Sequence, residues 1–311
     1  MIHKLFFNIH GFRFQVESEW SEILLFLEKE YYFFTTIPFT PKIYRENRVL
    51  LLKITSGFAP KDFIPEIVAK INSERVQVYK LRHKDFIHYA DELEACYDHK
   101  QVTADIFSAN EYLCREFLQY FLHGQMYRYL GLRNKHFIRA SAYRYKAVNV
   151  IFSGDCKRSN YKLIEELSHL KDFNPMATEY LGLDWKGQFY LLPRDDRDLD
   201  WHQNKNLALG PSIFFDLYAL NSNHSYISPL NFKKSWTFLL TMMTKRKAFS
   251  RGNIAELAFR KRFFWIDLMI FLSRAVTMWC FFMRSECLNL LYGKNLQKAA
   301  KEVAYFLDVR K

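Results

Sequence analysis

Residues that interrupt regular structure are scarce in this sequence, which has 10 glycines and 8 prolines among 311 residues. Aromatic residues are abundant by contrast, with 30 phenylalanines and 19 tyrosines. Such a composition can bury a large core and excludes an intrinsically disordered or low-complexity protein. The chain length favours one large domain with a smaller lobe.

Cysteine is also infrequent, and its five positions are an odd number without any Cys-x-x-Cys pair: Cys96, Cys114, Cys156, Cys280 and Cys287. This spacing indicates neither a disulfide framework nor a zinc site. The histidines do not pair with carboxylates at metal-ligand spacing either. We therefore predict a protein without a bound metal.

Long apolar stretches free of polar residues are missing as well. Near the N-terminus Asn8 and Arg13 interrupt the apolar residues, so no signal-peptide core forms and a cytoplasmic location is predicted. The longest apolar segment, 262–284, contains Asp267 and Arg274. Each would cost about 2.5–3.5 kcal/mol near the centre of a bilayer, which favours a core or partner-docking helix over a membrane contact.

The formal net charge is +12, a balance that suggests an anionic partner. Lysines and arginines are nevertheless scattered along the chain and alternate with apolar residues, as they do over 245–262. Tyrosine and arginine alternate at 127–129 and 143–145, which can stack on nucleic-acid bases but also occurs where packed tyrosines flank solvent-reaching arginines. We favour solvated helix faces and packing over a nucleic-acid-binding patch.

Hydrophobic periodicity predicts the elements that position the motifs. Strands are expected over 5–8, 12–16, 49–54, 76–81, 137–143, 148–152, 188–192 and 213–220, and helices over 22–32, 110–129 and 161–170. Residues 85–95 are expected to form a mixed connection, and the chain beyond 230 to be mostly helical. The domain boundary is predicted between an N-terminal lobe at 1–105 and a larger core at 106–311.

The most informative segment is a strand, a turn and a helix around Gly154. The apolar run 148–152 precedes this glycine and a helical pattern follows it, as in a phosphate-binding P-loop. The positions that carry the chemistry of such a loop differ: Ser159 replaces the second glycine, Asn160 the lysine and Tyr161 the small hydroxyl that holds Mg²⁺. Asparagine carries no charge, and the tyrosine ring displaces its hydroxyl outward. The motif therefore predicts a nucleotide loop without catalytic activity.

Charged neighbours of this loop leave alternatives open. Lys157 and Arg158 can replace the missing lysine from within the loop, or they can point outward to a protein partner, which we favour. Asp155 can cap the following helix or stabilise the turn, and it can also contact a metal ion.

These residues, in this order, resemble HPr serine kinase and its relatives, whose core is similar to that of phosphoenolpyruvate carboxykinase. Gly154 and Asp155 match the opening of the family loop, which reads Gly-Asp-Ser-Gly-x-Gly-Lys-Ser. Arg139 falls where the family has a histidine at the start of the preceding strand pair. Thr178 and Glu179 fall, with a slip of one residue, where the family has two aspartates that serve metal binding and catalysis.

The resemblance extends roughly over residues 110–240, and 187–194 resembles the hairpin that follows in the family. It implies an α/β fold with an HPr-kinase-like core, a small N-terminal α+β lobe and a helical C-terminus. In such a core Glu179 can hold a cation, although a surface or ion-pair role is favoured.

Together with the degenerate loop, the resemblance implies a pseudokinase that binds a protein or peptide, such as an accessory subunit of bacterial peptide maturation, and that uses no cofactor. One alternative is a divergent serine kinase that uses ATP and Mg²⁺ on a peptide or protein. A second alternative is a basic nucleic-acid-binding module.

The aromatic segment 263–283 has apolar residues on more than one side of a helix. This pattern is typical either of a helix buried on all sides or of a helix that contributes to an interface, within a homo-oligomer or with a different protein. Trp265 and Trp279 are the candidate interface residues.

Overall fold

A computed structural model describes ten stretches of the chain: residues 3–40, 49–63, 69–72, 76–90, 92–154, 158–177, 180–191, 206–207, 212–230 and 264–310. By its contacts the chain divides into two compact units. Unit 1 comprises Met1–Arg133 and Phe249–Ile270, and unit 2 comprises Asn134–Ala248 and Phe271–Lys311.

The described residues of unit 1 form one mixed sheet. Its strands are β1 (His3–Ile9), β2 (Phe12–Ser18), β3 (Val49–Ser56), β4 (Ala69–Asn72), β5 (Val76–Leu81), β6 (Lys84–Tyr89), β7 (Leu93–Asp98) and β8 (Thr103–Ser108). The spatial order is β1-β2-β3-β8-β7-β6-β5-β4. The β2/β3 and β3/β8 pairs are parallel and the other pairs are antiparallel. Most of this sheet is therefore an antiparallel meander of neighbouring segments.

The first hairpin joins the two strands predicted over 5–8 and 12–16 by a tight turn at His10 and Gly11. His10 and Gly11 both have positive φ angles, 49° and 98°, the conformation that a two-residue hairpin turn with matching twist requires. Glycine adopts such an angle without steric cost. Helix α1 (Ser21–Glu30) and helix α2 (Glu111–Gly131) confirm the two helices predicted in this part of the chain.

Helix α2 belongs to unit 1 by its contacts, and the first segment of unit 2 begins at Asn134. Its aromatic side chains explain this assignment, because they contact the strands of the first sheet. Phe117 lies beside Tyr89, with ring centroids 5.8 Å apart, and Phe121 lies beside Tyr97 at 5.4 Å. The side chain of Asn110 caps the helix by accepting from the amide of Leu113.

Residues 85–95 include most of β6 and the first half of β7, so the expectation of a mixed connection was wrong. The alternation of apolar and polar residues that predicts a strand is not visible in the sequence here, because buried positions hold Asp85 and Asp98 as well as apolar residues. Asp85 is paired with His99, with 2.6 Å between Oδ2 and Nε2, and Asp98 with His83 at 3.2 Å. Because the histidines pair with the buried aspartates, these residues can lie in strands although the sequence pattern is polar.

The central sheet of unit 2 contains three parallel strands. Its strands are β10 (Ser141–Tyr145), β11 (Val148–Gly154), β12 (Phe173–Ala177), β16 (Ser212–Ala219), β17 (Tyr226–Pro229) and β18 (Ser285–Tyr292). Among the described residues the spatial order is β12-β10-β11-β16-β18-β17. The β11/β16 and β16/β18 pairs are parallel, and antiparallel strands flank them on both sides.

A smaller antiparallel sheet also belongs to unit 2. It has the order β15-β14-β13-β9 and is formed by β9 (Lys135–Arg139), β13 (Tyr180–Asp184), β14 (Phe189–Leu191) and β15 (Asn206–Leu207). The single strand predicted over 137–143 is divided at Ala140 between β9 of this sheet and β10 of the central sheet. Periodicity could not show the division, because both halves are apolar and extended.

The central sheet has an apolar layer on each face. One layer packs β11, β16 and β18 against helix α3 (Arg158–Ser168) and helix α5 (Leu296–Val309). The other layer packs the opposite face against the small sheet and helix α4 (Phe264–Arg284). Strand β18 between the two later helices was missed by the expectation of a mostly helical C-terminus.

The described elements form a mixed α/β protein with several sheets and five α-helices, as the sequence predicted for the fold class in general. Among the described helices, none combines the length and the hydropathy that crossing a membrane requires.

Candidate functional site

The predicted strand before Gly154 and the predicted helix after it are confirmed, and residues 155–157 between them lie outside the described residues. This glycine ends β11, and α3 begins at Arg158, three residues before the predicted start at Tyr161. Strand β11 lies beside the parallel strands β16 and β18, so the carboxyl ends of three strands meet at one edge of the sheet. Ligands of α/β proteins bind at such an edge.

Asn160, which stands at the position of the P-loop lysine, is directed into the protein. Its side chain is buried, and its Oδ1 accepts a hydrogen bond from the hydroxyl of Tyr292 at the end of β18. Tyr292 is itself fully buried in the layer between the central sheet and α3 and α5. The residue at the lysine position therefore ties α3 to the sheet, and its amide is used for packing.

The other substituted positions are described less completely. Tyr161, where the sequence analysis placed the Mg²⁺-binding position of a P-loop, is 43% exposed on α3. Ser159 and Arg158 lie in the first turn of α3, and their side chains are outside the described part of the structure. Asp155 and Lys157 lie outside the described residues altogether.

A row of polar side chains crosses the three parallel strands next to this loop. Ser153 of β11 is in register with Asp216 of β16, which is in register with Asn289 of β18. All three are buried, with 6%, 3% and 8% of their surface exposed. Ser228 of β17 is opposite Asn289 and extends the row. Because side chains alternate along a strand, the row shares the face of the sheet on which Ile151 and Phe214 pack against α4.

Asp216 is the only carboxylate of this polar row, and its Oδ2 accepts a hydrogen bond of 2.5 Å from the hydroxyl of Tyr218. Mg²⁺ at phosphate sites is held by one or two carboxylates together with phosphate oxygens and water. Within the described ranges, no group of three or more His, Cys, Asp and Glu side chains is arranged to hold a metal ion. The row can orient a polar ligand, but it contains no cation to offset phosphate charge.

Sequence reasoning missed Asp216, Asn289 and Tyr292. A signal existed for Asp216, because it directly follows the apolar residues Ile213–Phe215, and a carboxylate after a buried strand marks the ligand-binding edge of a sheet. No local signal existed for Tyr292, since its partner Asn160 is 132 residues away in the sequence.

The side chains of the residues that the resemblance identified, Arg139, Thr178 and Glu179, are not among those that the structure describes at this site. Arg139 ends β9, where its backbone is opposite Tyr180, and its side chain is outside the described part. Thr178 and Glu179, between β12 and β13, also lie outside it. Trp265 and Trp279 are on α4, with 74% and 39% of their surface exposed.

The tyrosine and arginine alternation at 143–145 is explained by packing. Tyr143 and Tyr145 are buried, and their hydroxyls donate to the carbonyl oxygen of Ile164 and to Asp308. Arg144 donates to the side chain of Asn149 on the neighbouring strand. Both rings are therefore withdrawn from the surface where they would have to stack on bases.

A buried polar group lies on the inner side of α4. Nε2 of His136 is 2.8 Å from Oγ of Ser273, and that hydroxyl donates to Asn134 Oδ1 at 2.5 Å. Nδ1 of His136 has no hydrogen-bond partner among the described residues. Burial, with a smaller contribution from the charge of Arg274, lowers the pKa of His136 from 6.5 to about 3. His136 is therefore a neutral, structural histidine at physiological pH.

No protein-family model and no curated protein matches this sequence.

Proposed function

We propose that this protein is a catalytically silent, HPr-kinase-like scaffold that binds a protein or peptide partner. The hydrogen bond between Tyr292 and Asn160 is the observation that carries the proposal. It commits the lysine position of the nucleotide loop to the interior, where an uncharged side chain joins α3 to β18.

The chemical consequence follows from what phosphoryl transfer requires. A lysine and Mg²⁺ neutralise charge on the transferred group, and catalysis consists almost entirely of that stabilisation and of positioning. Loss of a charge-assisted hydrogen bond removes about 1.5–3 kcal/mol of interaction with the phosphates. Tyr161 adds a bulky side chain where a compact metal-binding hydroxyl belongs, which weakens binding further.

The kinship itself is part of the proposal. It is supported by the order of β10, β11, α3 and the β13/β14 hairpin, which is the order the resemblance implies. Binding of a partner is supported by the exposed apolar residues of α4, among them Met269 and Leu272. An accessory role in the maturation of a peptide fits a scaffold that retains a kinase-like core without its chemistry.

Calorimetric titration with ATP, with and without Mg²⁺, tests the silent loop. We expect no saturable binding in the micromolar range and no transfer of labelled phosphate to serine peptides. The variant N160K is compared with the control K162R, which changes an exposed residue of the same helix. Lysine at position 160 should lower stability without creating ATP affinity, because position 160 is buried and directed toward Tyr292. Gain of Mg²⁺-dependent binding in N160K would show that position 160 faces the loop.

A divergent kinase is the second candidate, and one observation favours it. Asp216 places a buried carboxylate opposite Ser153, next to the last residue of β11, where it could hold a cation against a phosphate. Micromolar ATP binding by the natural protein that requires Mg²⁺ and is lost in D216N would replace the silent scaffold with this candidate.

A further inference from the structure

Helix α4 presents a regular apolar stripe on one side. We call it the α4 stripe and define it by residues separated alternately by four and three positions: Trp265, Met269, Leu272, Val276, Trp279 and Met283. Their exposed fractions are 74%, 62%, 54%, 55%, 39% and 68%. This spacing repeats every 3.5 residues on average, which is the period of the contact positions in a coiled coil.

The opposite side of the helix is fixed in the protein. Ile270, Arg274, Met278 and Phe281 follow each other at helical spacing and are all buried. Met278 and Phe281 belong to the apolar layer under the central sheet, and Arg274 donates to the carbonyl oxygen of Phe137. If α4 were rotated so that the stripe became buried, these four residues would lose their buried contacts. The stripe therefore faces outward.

The positions beside the stripe carry no charge. They include Ser273, Ala275, Cys280 and Phe282, each partly exposed. Charged side chains at such flanking positions normally select a particular partner or exclude a second identical helix. An uncharged stripe with uncharged flanks is self-complementary, which is what a twofold contact between identical chains needs.

The size of the stripe also fits a contact between two copies. With ordinary side-chain areas, the exposed fractions give an apolar surface of roughly 700 Å² per chain, near the ~800 Å² that each partner contributes to a standard interface. Apolar patches of this size are uncommon on monomeric proteins.

We propose that the protein forms a homodimer in which the α4 stripes of two copies pack against each other. The inference rests on the partner-binding half of the proposed function and is independent of the nucleotide loop. The net charge of +12 opposes the contact at low ionic strength. Added salt shortens the distance over which that repulsion acts, to between a few ångströms and about 10 Å. The dimer should therefore be favoured as the salt concentration rises.

Analytical ultracentrifugation of the full chain tests the dimer from low to high micromolar concentration. We expect a mass of twice 37.4 kDa at the upper end, with dissociation on dilution and tighter association in added salt. The double variant L272E/V276E should be monomeric at every concentration. The control is L25E on α1, where Leu25 is 63% exposed, similar to the 54% of Leu272. This variant should dimerise like the natural protein.

Circular dichroism and thermal unfolding of each variant separate loss of the dimer from loss of the fold. If L272E/V276E unfolds, the single change V276E is measured in its place, and a folded monomer supports the proposal. A monomeric natural protein would overturn the proposal, and so would a dimer that L272E/V276E leaves intact. Binding of ATP by the loop would contradict the proposed function, and only the ATP titration would detect it. The two proposals can therefore fail independently.

Discussion

Helices α3 and α4 lie on opposite faces of the same central sheet and distribute their residues in opposite ways. Helix α3 buries Leu163 and Leu167, and Asn160, the buried polar residue among its described side chains, has a partner in Tyr292. Helix α4 buries Arg274 beside apolar residues and leaves the α4 stripe exposed.

The difference shows which face of the sheet is complete. On the α3 side the buried apolar residues of the sheet pack with those of α3 and α5, and Asn160 is buried there with Tyr292 as a partner. On the α4 side the inner surface is packed, but the apolar α4 stripe remains exposed on the outer surface. The inner side of α3 is thus fully used in packing, whereas α4 also leaves apolar surface exposed.

The largest expected effect comes from equivalent truncations on the two helices. L163A removes a fully buried side chain and should lower the free energy of unfolding by about 2–5 kcal/mol, because it leaves a cavity. L272A, at a position 54% exposed, should change the stability of the monomer by less than about 1 kcal/mol. Urea unfolding at low protein concentration gives both values. Equal losses would mean that the α4 stripe is covered.

A pH effect should arise on the inner side of α4. The pKa of His136 is lowered from 6.5 to about 3 in the folded state, chiefly by burial. Above pH 6.5 the histidine is neutral in both states and its contribution is constant. As the pH falls from 6.5 toward 3, the unfolded chain takes up the proton first, so stability should decrease by up to about 1.4 kcal/mol per pH unit.

Unfolding in urea at pH 7 and pH 5 measures this slope. H136Q keeps a donor for Ser273 and cannot be protonated, so its stability should depend less on pH than that of the natural protein. H224Q, at an exposed histidine, is the control and should behave like the natural protein. Identical slopes for H136Q and the natural protein would show that His136 is protonated in the folded state.

The hydrogen bond that completes the α3 side has a smaller expected effect. Y292F removes the hydroxyl that Asn160 accepts from and leaves a buried amide oxygen with one donor fewer. A loss of about 1–3 kcal/mol is expected. Y305F, at a position 72% exposed, should be neutral. A neutral Y292F would remove the main support for an inward-facing Asn160.

The smallest effect on stability is expected for tryptophan on the α4 stripe. W265A, at a position 74% exposed, should unfold within about 1 kcal/mol of the natural protein when both are monomeric. W279A, at 39% exposure, should cost more. Sedimentation of the same variants at high concentration should show a weakened dimer. Unfolding of both variants would indicate a core helix.

Elements with strong local patterns could be predicted from the sequence. The strand before Gly154, the helix after it, the first hairpin and α2 follow from periodicity, a glycine at a turn and a capping asparagine, all of which act over a few residues. Where a local pattern was mixed, prediction failed. Asp85 and Asp98 concealed β6 and β7, and the apolar character of 137–143 concealed the division between two sheets.

The candidate site could be predicted only in part. Gly154 and the altered residues Asn160 and Tyr161 are visible in the sequence because a P-loop has fixed spacing. The polar row is not, since register between β11, β16 and β18 brings Ser153, Asp216 and Asn289 together from distant segments.

The sequence by itself determined that Asn160 and Tyr161 stand where a P-loop would have its lysine and its small metal-binding hydroxyl, and that 263–283 is apolar on more than one side. Only the tertiary structure decided where those residues face. Asn160 is directed to Tyr292 because α3 packs on β18, and the α4 stripe faces outward because Met278 and Phe281 are fixed in the opposite layer. Chemical identity and short-range periodicity are local properties of a chain, whereas the direction of a side chain depends on contacts between segments far apart in sequence.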